Sequence, residues 1–206
     1  MKALILVDIQ NDFLPGGALA VQGGVEVIPM ANRMSERFEL VVATRDWHPP
    51  DHRSFAATHP GHRPGDVIEL NGLSQTLWPV HCVQGTPGAE FAEGLHRRPV
   101  ARVFDKGTER DVDSYSGFFD NGHRRGTGLE LFLRERGVET VYVMGLALDV
   151  CVLATALDAV RLGFETYVIE DGCRAVELRP GDGARALATM DGAGVHLIGS
   201  NEITVT

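Results

Sequence analysis

The stretch that decides the fold runs from Ala3 to Asp8 and reads ALILVD. Five apolar residues in a row, ended by a carboxylate, predict a short strand buried on both faces, as the strands of a parallel sheet are. The run is far shorter than the roughly 20 residues that span a bilayer. No small-residue cleavage site follows it closely, so we do not interpret it as a signal peptide.

Similar apolar runs alternate with amphipathic stretches along the rest of the chain, which is typical of βα units. We therefore expect an α/β fold with about six mostly parallel strands and helices on both faces. This is a Rossmann-like three-layer sandwich, formed by residues 1–206 as a single domain. The predicted strands are Ala3–Val7, Leu40–Thr44, Ala101–Phe104 (the weakest), Thr140–Met144, Thr166–Ile169 and Val195–Ile198. The predicted helices are Val25–Phe38, Leu129–Arg136, Val150–Leu162 and Gly183–Asp191.

The composition is that of a globular protein, and it limits the partners. Of 206 residues, 44% are hydrophobic and 23% charged, which is enough for one buried core. The net charge of -9 repels phosphate backbones, so we expect no nucleic-acid partner. No apolar stretch is long enough to predict a membrane partner. The cysteines, Cys82, Cys151 and Cys173, lack CxxC spacing, which favours free thiols in a reducing compartment and a cytoplasmic protein.

Polar side chains follow the predicted strands, and open α/β sheets bind ligands at the edge where their strands end. Asp8 follows the first strand, Asp46 and His48 follow the second, and Cys151 lies beyond the fourth. The segment 47–100 is rich in Pro, Gly and His and has little periodicity. Long irregular segments of this kind are usually functional.

Cys151, Asp8 and Lys106 are candidates for nucleophilic catalysis. Cys151 opens a predicted helix, where unpaired N–H groups and the helix dipole lower a thiol pKa and can hold an oxyanion. Asp8 emerges from an apolar strand, which predicts a raised pKa suited to a general base. Lys106 would stabilise an anionic nucleophile. Each also has a simpler interpretation. Cys151 could be a small buried hydrophobe, Asp8 a turn or helix-cap residue, and Lys106 a solvated surface cation.

Asp46 and His48 are candidates for metal binding. Two residues apart in an extended segment, they point to one side, and His81 could supply a third ligand. Two histidines and one carboxylate leave positions open for water and substrate, which suits a catalytic divalent metal. The alternative is a set of surface histidines. The rival ligands nearby are His52, His59 and His62.

Five stretches, taken together and in order, resemble the nicotinamidases of the isochorismatase-like hydrolase superfamily. They are Val7–Phe13 (VDIQNDF), Ala43–Pro49 (ATRDWHP), Trp78–Val83 (WPVHCV), Lys106–Gly107 running to Asp113–Asp120 (DSYSGFFD), and Gly145–Val152 (GLALDVCV). The resemblance spans nearly the whole chain. It implies an isochorismatase-like fold and an amidohydrolase that converts nicotinamide to nicotinate and ammonia through a cysteine thioester. It also implies activity on pyrazinamide and a place in NAD salvage.

The same resemblance implies roles for individual residues. The implied catalytic residues are Asp8, Lys106 and Cys151, with the backbone N–H groups of Ala147 and Cys151 as an oxyanion hole. The implied ligands of one divalent metal ion are Asp46, His48 and His81, with Ser54 reaching it directly or through water. Zinc is the first expectation, and iron or manganese suits the same ligands. The implied walls of an aromatic substrate pocket are Phe13, Trp78 and Tyr115.

The chain departs from the family at Leu148 and Val150, where a threonine and a tyrosine or histidine are common. The resemblance also leads us to expect a strained, cis peptide near Leu146–Ala147. Two other functions stay open: a superfamily amidase acting on a carbamoyl or ureido substrate, and a non-catalytic small-molecule-binding module. Relatives of the first kind typically lack the metal ligands. The sequence leaves a homo-oligomer open.

Overall fold

A computed structural model describes residues 1–203, so the last three residues of the predicted domain lie outside the described part. Its strands are β1 (Lys2–Val7), β2 (Leu40–Asp46), β3 (Val67–Leu70), β4 (Leu73–Thr76), β5 (Val100–Lys106), β6 (Thr140–Leu146), β7 (Glu165–Arg174) and β8 (His196–Ile198). Six of them form a sheet in the order β5-β2-β1-β6-β7-β8, and every neighbouring pair is parallel. The predicted fold class is confirmed, and Ala101–Phe104 lies within β5.

The strand β1 lies inside the sheet, as its unbroken apolar run predicts. Residues 3–7 are at most 1% exposed. β2 pairs with β1 on one side and β6 on the other, so both edges of β1 are hydrogen-bonded. Because neighbours enclose β1 on both faces and both edges, the position of its carboxyl end is fixed. Asp8 is the residue that follows this end.

Helices cover both faces of the sheet. They are α1 (Val27–Ser35), α2 (Leu129–Arg134), α3 (Leu153–Arg161) and α4 (Asp182–Gly192). The connection from β1 to β2 runs across the sheet in the opposite direction to those from β5 to β6, β6 to β7 and β7 to β8. Because such crossovers are right-handed, α1 lies on one face and the other three helices lie on the opposite face.

Two predicted helices begin later in the structure than in the sequence interpretation. The helix predicted over Val25–Phe38 is preceded by a 3-10 turn, and Phe38 lies beyond its end with its ring centroid 4.9 Å from that of Tyr142. The helix predicted from Val150 is preceded by a π-helical turn, Leu148–Val152. Leu148, Cys151 and Val152 of the π-helical turn are buried like the helix that follows, so the apolar pattern continues through it. In the 3-10 turn the pattern misled, because Val25 is 51% exposed.

The segment predicted to be irregular contains a short antiparallel hairpin of β3 and β4. Its other backbone hydrogen bonds either close tight turns or join distant parts of the chain, such as His48 N–H to the Cys82 carbonyl. No helix in residues 1–203 combines the length and apolar character that crossing a membrane requires.

Candidate active site

Four neighbouring strands bring the predicted site residues to one edge of the sheet. Asp8 follows β1, Asp46 and Lys106 are the last residues of β2 and β5, and Cys151 lies in the turn after β6. In the order β5-β2-β1-β6 these ends are adjacent, so residues far apart in sequence become neighbours. Carboxyl ends of parallel strands are where such sheets place ligand sites.

Lys106 is the centre of this group, and its side chain is fully buried. Its Nζ lies 2.8 Å from Asp8 Oδ2. It donates hydrogen bonds to Asp46 Oδ1 at 2.6 Å, to the Ser114 carbonyl at 3.0 Å and to Cys151 Sγ at 3.3 Å. Burial alone would lower the pKa of Lys106, but the carboxylates of Asp46 and Asp8 outweigh it and hold the pKa well above its usual value. The residue is therefore a permanent cation.

Asp8 has one carboxylate oxygen that is hydrogen-bonded and one that is not. Oδ1 accepts the Thr44 hydroxyl at 2.7 Å. Oδ2 forms an ion pair with Lys106, and no donor among residues 1–203 meets it in good hydrogen-bond geometry. Burial raises the pKa of Asp8 to about 6, against the opposing effect of Lys106. A buried, unpaired acceptor beside a thiol is the arrangement a general base requires.

Cys151 is a neutral thiol in this environment. Burial raises its pKa well above the usual value, Lys106 opposes this, and Asp8 adds to it. The sequence interpretation expected the helix dipole to lower this pKa, which is wrong here. The side chain is only 6% exposed, and it lies in the π-helical turn before α3, so desolvation dominates. The proton therefore has to be removed by a base, and ligating atoms of Asp8 and Cys151 lie within 4.8 Å of each other.

Asp46, His48 and His81 form a buried cluster whose donor atoms lie within 4.8 Å of one another. His48 Nδ1 donates to the Gly107 carbonyl at 2.9 Å, and His81 Nδ1 donates to the Pro79 carbonyl at 2.8 Å. Because a carbonyl only accepts, each ring carries its proton on Nδ1 and has a free lone pair on Nε2. Burial also lowers the pKa of both imidazoles, which keeps them neutral.

The geometry of this cluster fits a divalent metal ion. His48 Nε2 lies 3.7 Å from Asp46 Oδ1, and His81 Nε2 lies 3.9 Å from Asp46 Oδ2, too far for hydrogen bonds. Three lone-pair donors thus converge without contacting each other. The two histidine rings are held in orientation by their hydrogen bonds to backbone carbonyls. Gly107 permits this approach: it has φ +63°, and a Cβ there would lie 2.3 Å from the His48 ring.

The remaining predicted ligands differ in their surroundings. Ser54 is fully buried, and its Oγ lies 2.7 Å from His52 Nδ1. His52 Nε2 bonds the Val112 carbonyl, and its ring centroid lies 4.4 Å from that of His48. The rivals His59 and His62 contact the Arg53 carbonyl and Asp66, outside the groups of converging ligand atoms found in residues 1–203.

A small cavity lies over the thiol and the metal-ligand cluster. It has about 380 Å³ of space free of atoms, its open mouth included. The predicted aromatic residues all line it. Its walls are Phe13, Leu19, Val21, Asp46, His48, Trp78, His81, Asp113, Tyr115, Ala147, Val150, Cys151 and Val176. The cavity is therefore mostly apolar, with polar groups at one end, as small-molecule sites usually are.

The turn around Cys151 lines this cavity with Ala147, Val150 and Cys151. The Leu146–Ala147 peptide is cis, as the resemblance led us to expect. The Ala147 carbonyl accepts the N–H groups of Val150 and Val152. We find no acceptor for the Ala147 N–H among residues 1–203. It is available to a ligand at the cavity wall.

Comparison with known protein families agrees with this arrangement. A family model described as the isochorismatase domain matches residues 2–202. The chain belongs to the isochorismatase family.

Several relatives in this isochorismatase family are similar along nearly their whole length. The nicotinamidase of Escherichia coli (strain K12) is 49% identical over 200 residues, covering 95% of this chain and 93% of that protein. The structure of an Acinetobacter baumanii nicotinamidase/pyrazinamidase has a TM-score of 0.96 and 48% identity, covering 98% of each chain. A pyrazinamidase of Pyrococcus horikoshii, solved in complex with zinc, has a TM-score of 0.77 and 41% identity, covering 96% of this chain and 98% of that one.

Sequence reasoning missed several residues of this isochorismatase-family site. Thr44 bonds Asp8, and the Ser114 carbonyl accepts a proton of Lys106. Both lie in or next to stretches that carried the resemblance, which was the only signal for them. Leu19, Val21 and Val176 line the cavity from loops with no distinguishing pattern.

Proposed function

We propose that the protein hydrolyses nicotinamide to nicotinate and ammonia through a thioester on Cys151. The observation that carries the proposal is the buried Cys151 thiol beside the unpaired Oδ2 of Asp8 and the Lys106 cation, at the wall of an aromatic-lined cavity. The 49% identity to a nicotinamidase supports the choice of substrate.

Substrate binding is assigned to the aromatic walls and the metal-ligand cluster. Phe13, Trp78 and Tyr115 would enclose the pyridine ring. Asp46, His48 and His81 would hold one divalent ion, with Ser54 reaching it directly or through water. Such an ion would supply a Lewis acid at this end of the cavity, where it would bind the pyridine nitrogen and water. Zinc is favoured, because a 41% identical pyrazinamidase was solved with it, while iron and manganese suit the same donors.

Acylation begins with proton transfer from the Cys151 thiol to Asp8 Oδ2, while Lys106 stabilises the thiolate. The sulfur attacks the carboxamide carbon, and the N–H groups of Ala147 and Cys151 bind the resulting oxyanion. Asp8 returns the proton to the nitrogen as the C–N bond breaks. The products of this half are ammonia and a nicotinoyl thioester on Cys151.

In deacylation, Asp8 again acts as the base, with water in place of the thiol as the nucleophile. Asp8 takes a proton from water, whose oxygen attacks the thioester carbon. The C–S bond breaks, nicotinate forms, and Asp8 returns the proton to the sulfur. One water is consumed, and the enzyme is restored.

The first test is ammonia release from nicotinamide by the purified protein, before and after chelation and with zinc added back. Release that is lost on chelation and restored by zinc supports the amidase and its metal site. Pyrazinamide should be hydrolysed in the same assay. No release with metal bound and Cys151 reduced would reject the proposal and favour a carbamoyl or ureido substrate. Ligand binding without turnover on any of these amides would favour a non-catalytic module.

The cellular setting follows from the same proposal. The reaction would feed nicotinate to NAD salvage, and we assign it to the cytoplasm because the cysteines are free thiols. We also propose one domain, since the family match runs over residues 2–202. A homo-oligomer stays a prediction.

A further inference from the structure

The buried amide of Gln75 is hydrogen-bonded to the cavity wall although it does not line the cavity. Gln75 lies in β4 and is 3% exposed. Its Nε2 lies 2.7 Å from the Thr76 carbonyl, 3.0 Å from Tyr115 OH and 3.1 Å from Asp113 Oδ2, so its two N–H groups are shared among three acceptors. A carbonyl and a carboxylate only accept, so the amide nitrogen rather than its oxygen must face this group.

Tyr115 OH receives a second donor from another wall residue. Trp78 Nε1 donates to it at 3.2 Å, and the two rings stand edge to face with centroids 6.3 Å apart and planes at 85°. The phenol oxygen therefore lies within hydrogen-bond distance of donors on both Gln75 and Trp78. Burial raises the pKa of Tyr115 well above its usual range, so the phenol is neutral. The separation and angle of the two rings depend on this shared oxygen.

Asp113 is held at two points. Oδ1 accepts the Ser114 N–H at 2.8 Å, and Oδ2 accepts the Gln75 amide. Its carboxylate is 3% exposed and lines the cavity. The Gln75 amide on the hairpin therefore connects three cavity residues. It contacts Tyr115 and Asp113 directly, and Trp78 through the Tyr115 oxygen.

We propose that Gln75 is a positioning residue that holds the Tyr115 and Trp78 rings ready for a flat aromatic substrate. This inference rests on the proposed function. Without the amide, the rings lose a fixed orientation in the free enzyme, and the substrate has to restore it on binding. Gln75 makes no hydrogen bond to Cys151, Asp8 or Lys106. Its loss should therefore weaken substrate binding and spare the chemical step.

The test compares Gln75→Met with wild type in nicotinamide hydrolysis, measuring kcat and KM separately. Methionine keeps the length and removes both N–H donors. We expect KM to rise about tenfold, the size of one lost buried hydrogen bond, with kcat within about twofold of wild type. Gln84→Met is the matched control, because its exposed amide bonds only the Trp47 carbonyl, and it should change neither constant.

A double-mutant cycle shows whether Gln75 acts through Tyr115. Tyr115→Phe removes the oxygen to which Gln75 donates, so Gln75→Met should raise KM much less in that background. Gln75→Asn, which withdraws the amide by one methylene, is the second variant if Gln75→Met does not fold. Equal fold-changes in both backgrounds, or a loss confined to kcat, would overturn the inference. Failure of the proposed function looks different: wild type itself would release no ammonia from nicotinamide.

Discussion

Replacing Lys106 with methionine tests the electrostatics of the site most severely. The change keeps the chain length and removes a cation that lies 2.6 Å from Asp46 Oδ1 and 2.8 Å from Asp8 Oδ2. Both carboxylates are then buried without their cation. Removing one partner of a buried ion pair costs about 3–5 kcal/mol. In a chain of this length, that free energy corresponds to a fall in Tm of about 6–20 °C.

The loss of stability should also depend on pH, and the pKa of Asp8 determines whether it is larger at high or at low pH. Burial already raises the pKa of Asp8 to about 6, above its ordinary 3.8, although Lys106 opposes the shift. Without Lys106 this pKa rises further. A carboxyl whose folded pKa is raised contributes stability that is present below its unfolded pKa and is lost as pH rises through the folded pKa. Lys106→Met should therefore be destabilised less at pH 5 than at pH 8.

Thermal unfolding followed by circular dichroism, in chelator and across that pH range, measures both effects. Lys2→Met is the matched control: it removes the chain's only other lysine, at the partly exposed start of β1. A Lys106→Met protein as stable as Lys2→Met at every pH would refute the reasoning. A loss that grew as pH fell would do the same.

Three further predictions concern activity and metal binding. Asp8→Asn should lower kcat for nicotinamide by about 10²–10⁴-fold and keep the bound metal, because it removes only the proton acceptor; near-normal kcat would remove Asp8 from the mechanism. Since Asp8 must be ionised to accept the thiol proton and burial raises its pKa to about 6, kcat/KM should fall about tenfold per pH unit below that value. A pH–rate profile that stays flat down to pH 4 would contradict this. His81→Ala should lose metal in an elemental assay, while His59→Ala, whose ring bonds the Arg53 carbonyl outside the cluster, should retain it; equal metal content in the two variants would reject the ligand set.

The strands and most of the site could be predicted because each has a local cause. β1 is a run of apolar residues that has to be buried on both faces, and it ends at Asp8. Parallel strands then bring Asp46, Lys106 and the Cys151 turn to the same edge. The family resemblance supplied what spacing alone left open, such as His81 rather than His59 in the metal cluster.

What could not be predicted depends on contacts between distant segments. The pKa of Cys151 is raised rather than lowered, because burial and the carboxylates of Asp8 and Asp46 outweigh the effect of Lys106. The contact between Lys106 and Asp46 connects the residues around Cys151 to the candidate metal ligands, and no sequence pattern indicates it. Gln75 lies in a hairpin that has no clear periodicity, and its role depends on Tyr115, 40 residues away.

The most direct test of the central claim is the rate of ammonia release from nicotinamide by Cys151→Ala, measured beside wild type at equal metal content. Cys173→Ala serves as the control, because that thiol is also buried and its Sγ donates to the Ile169 carbonyl within β7. If Cys151 is the nucleophile, its variant should lose at least about 10³-fold in kcat while Cys173→Ala stays active. A Cys151→Ala protein within about tenfold of wild type would contradict the thioester mechanism.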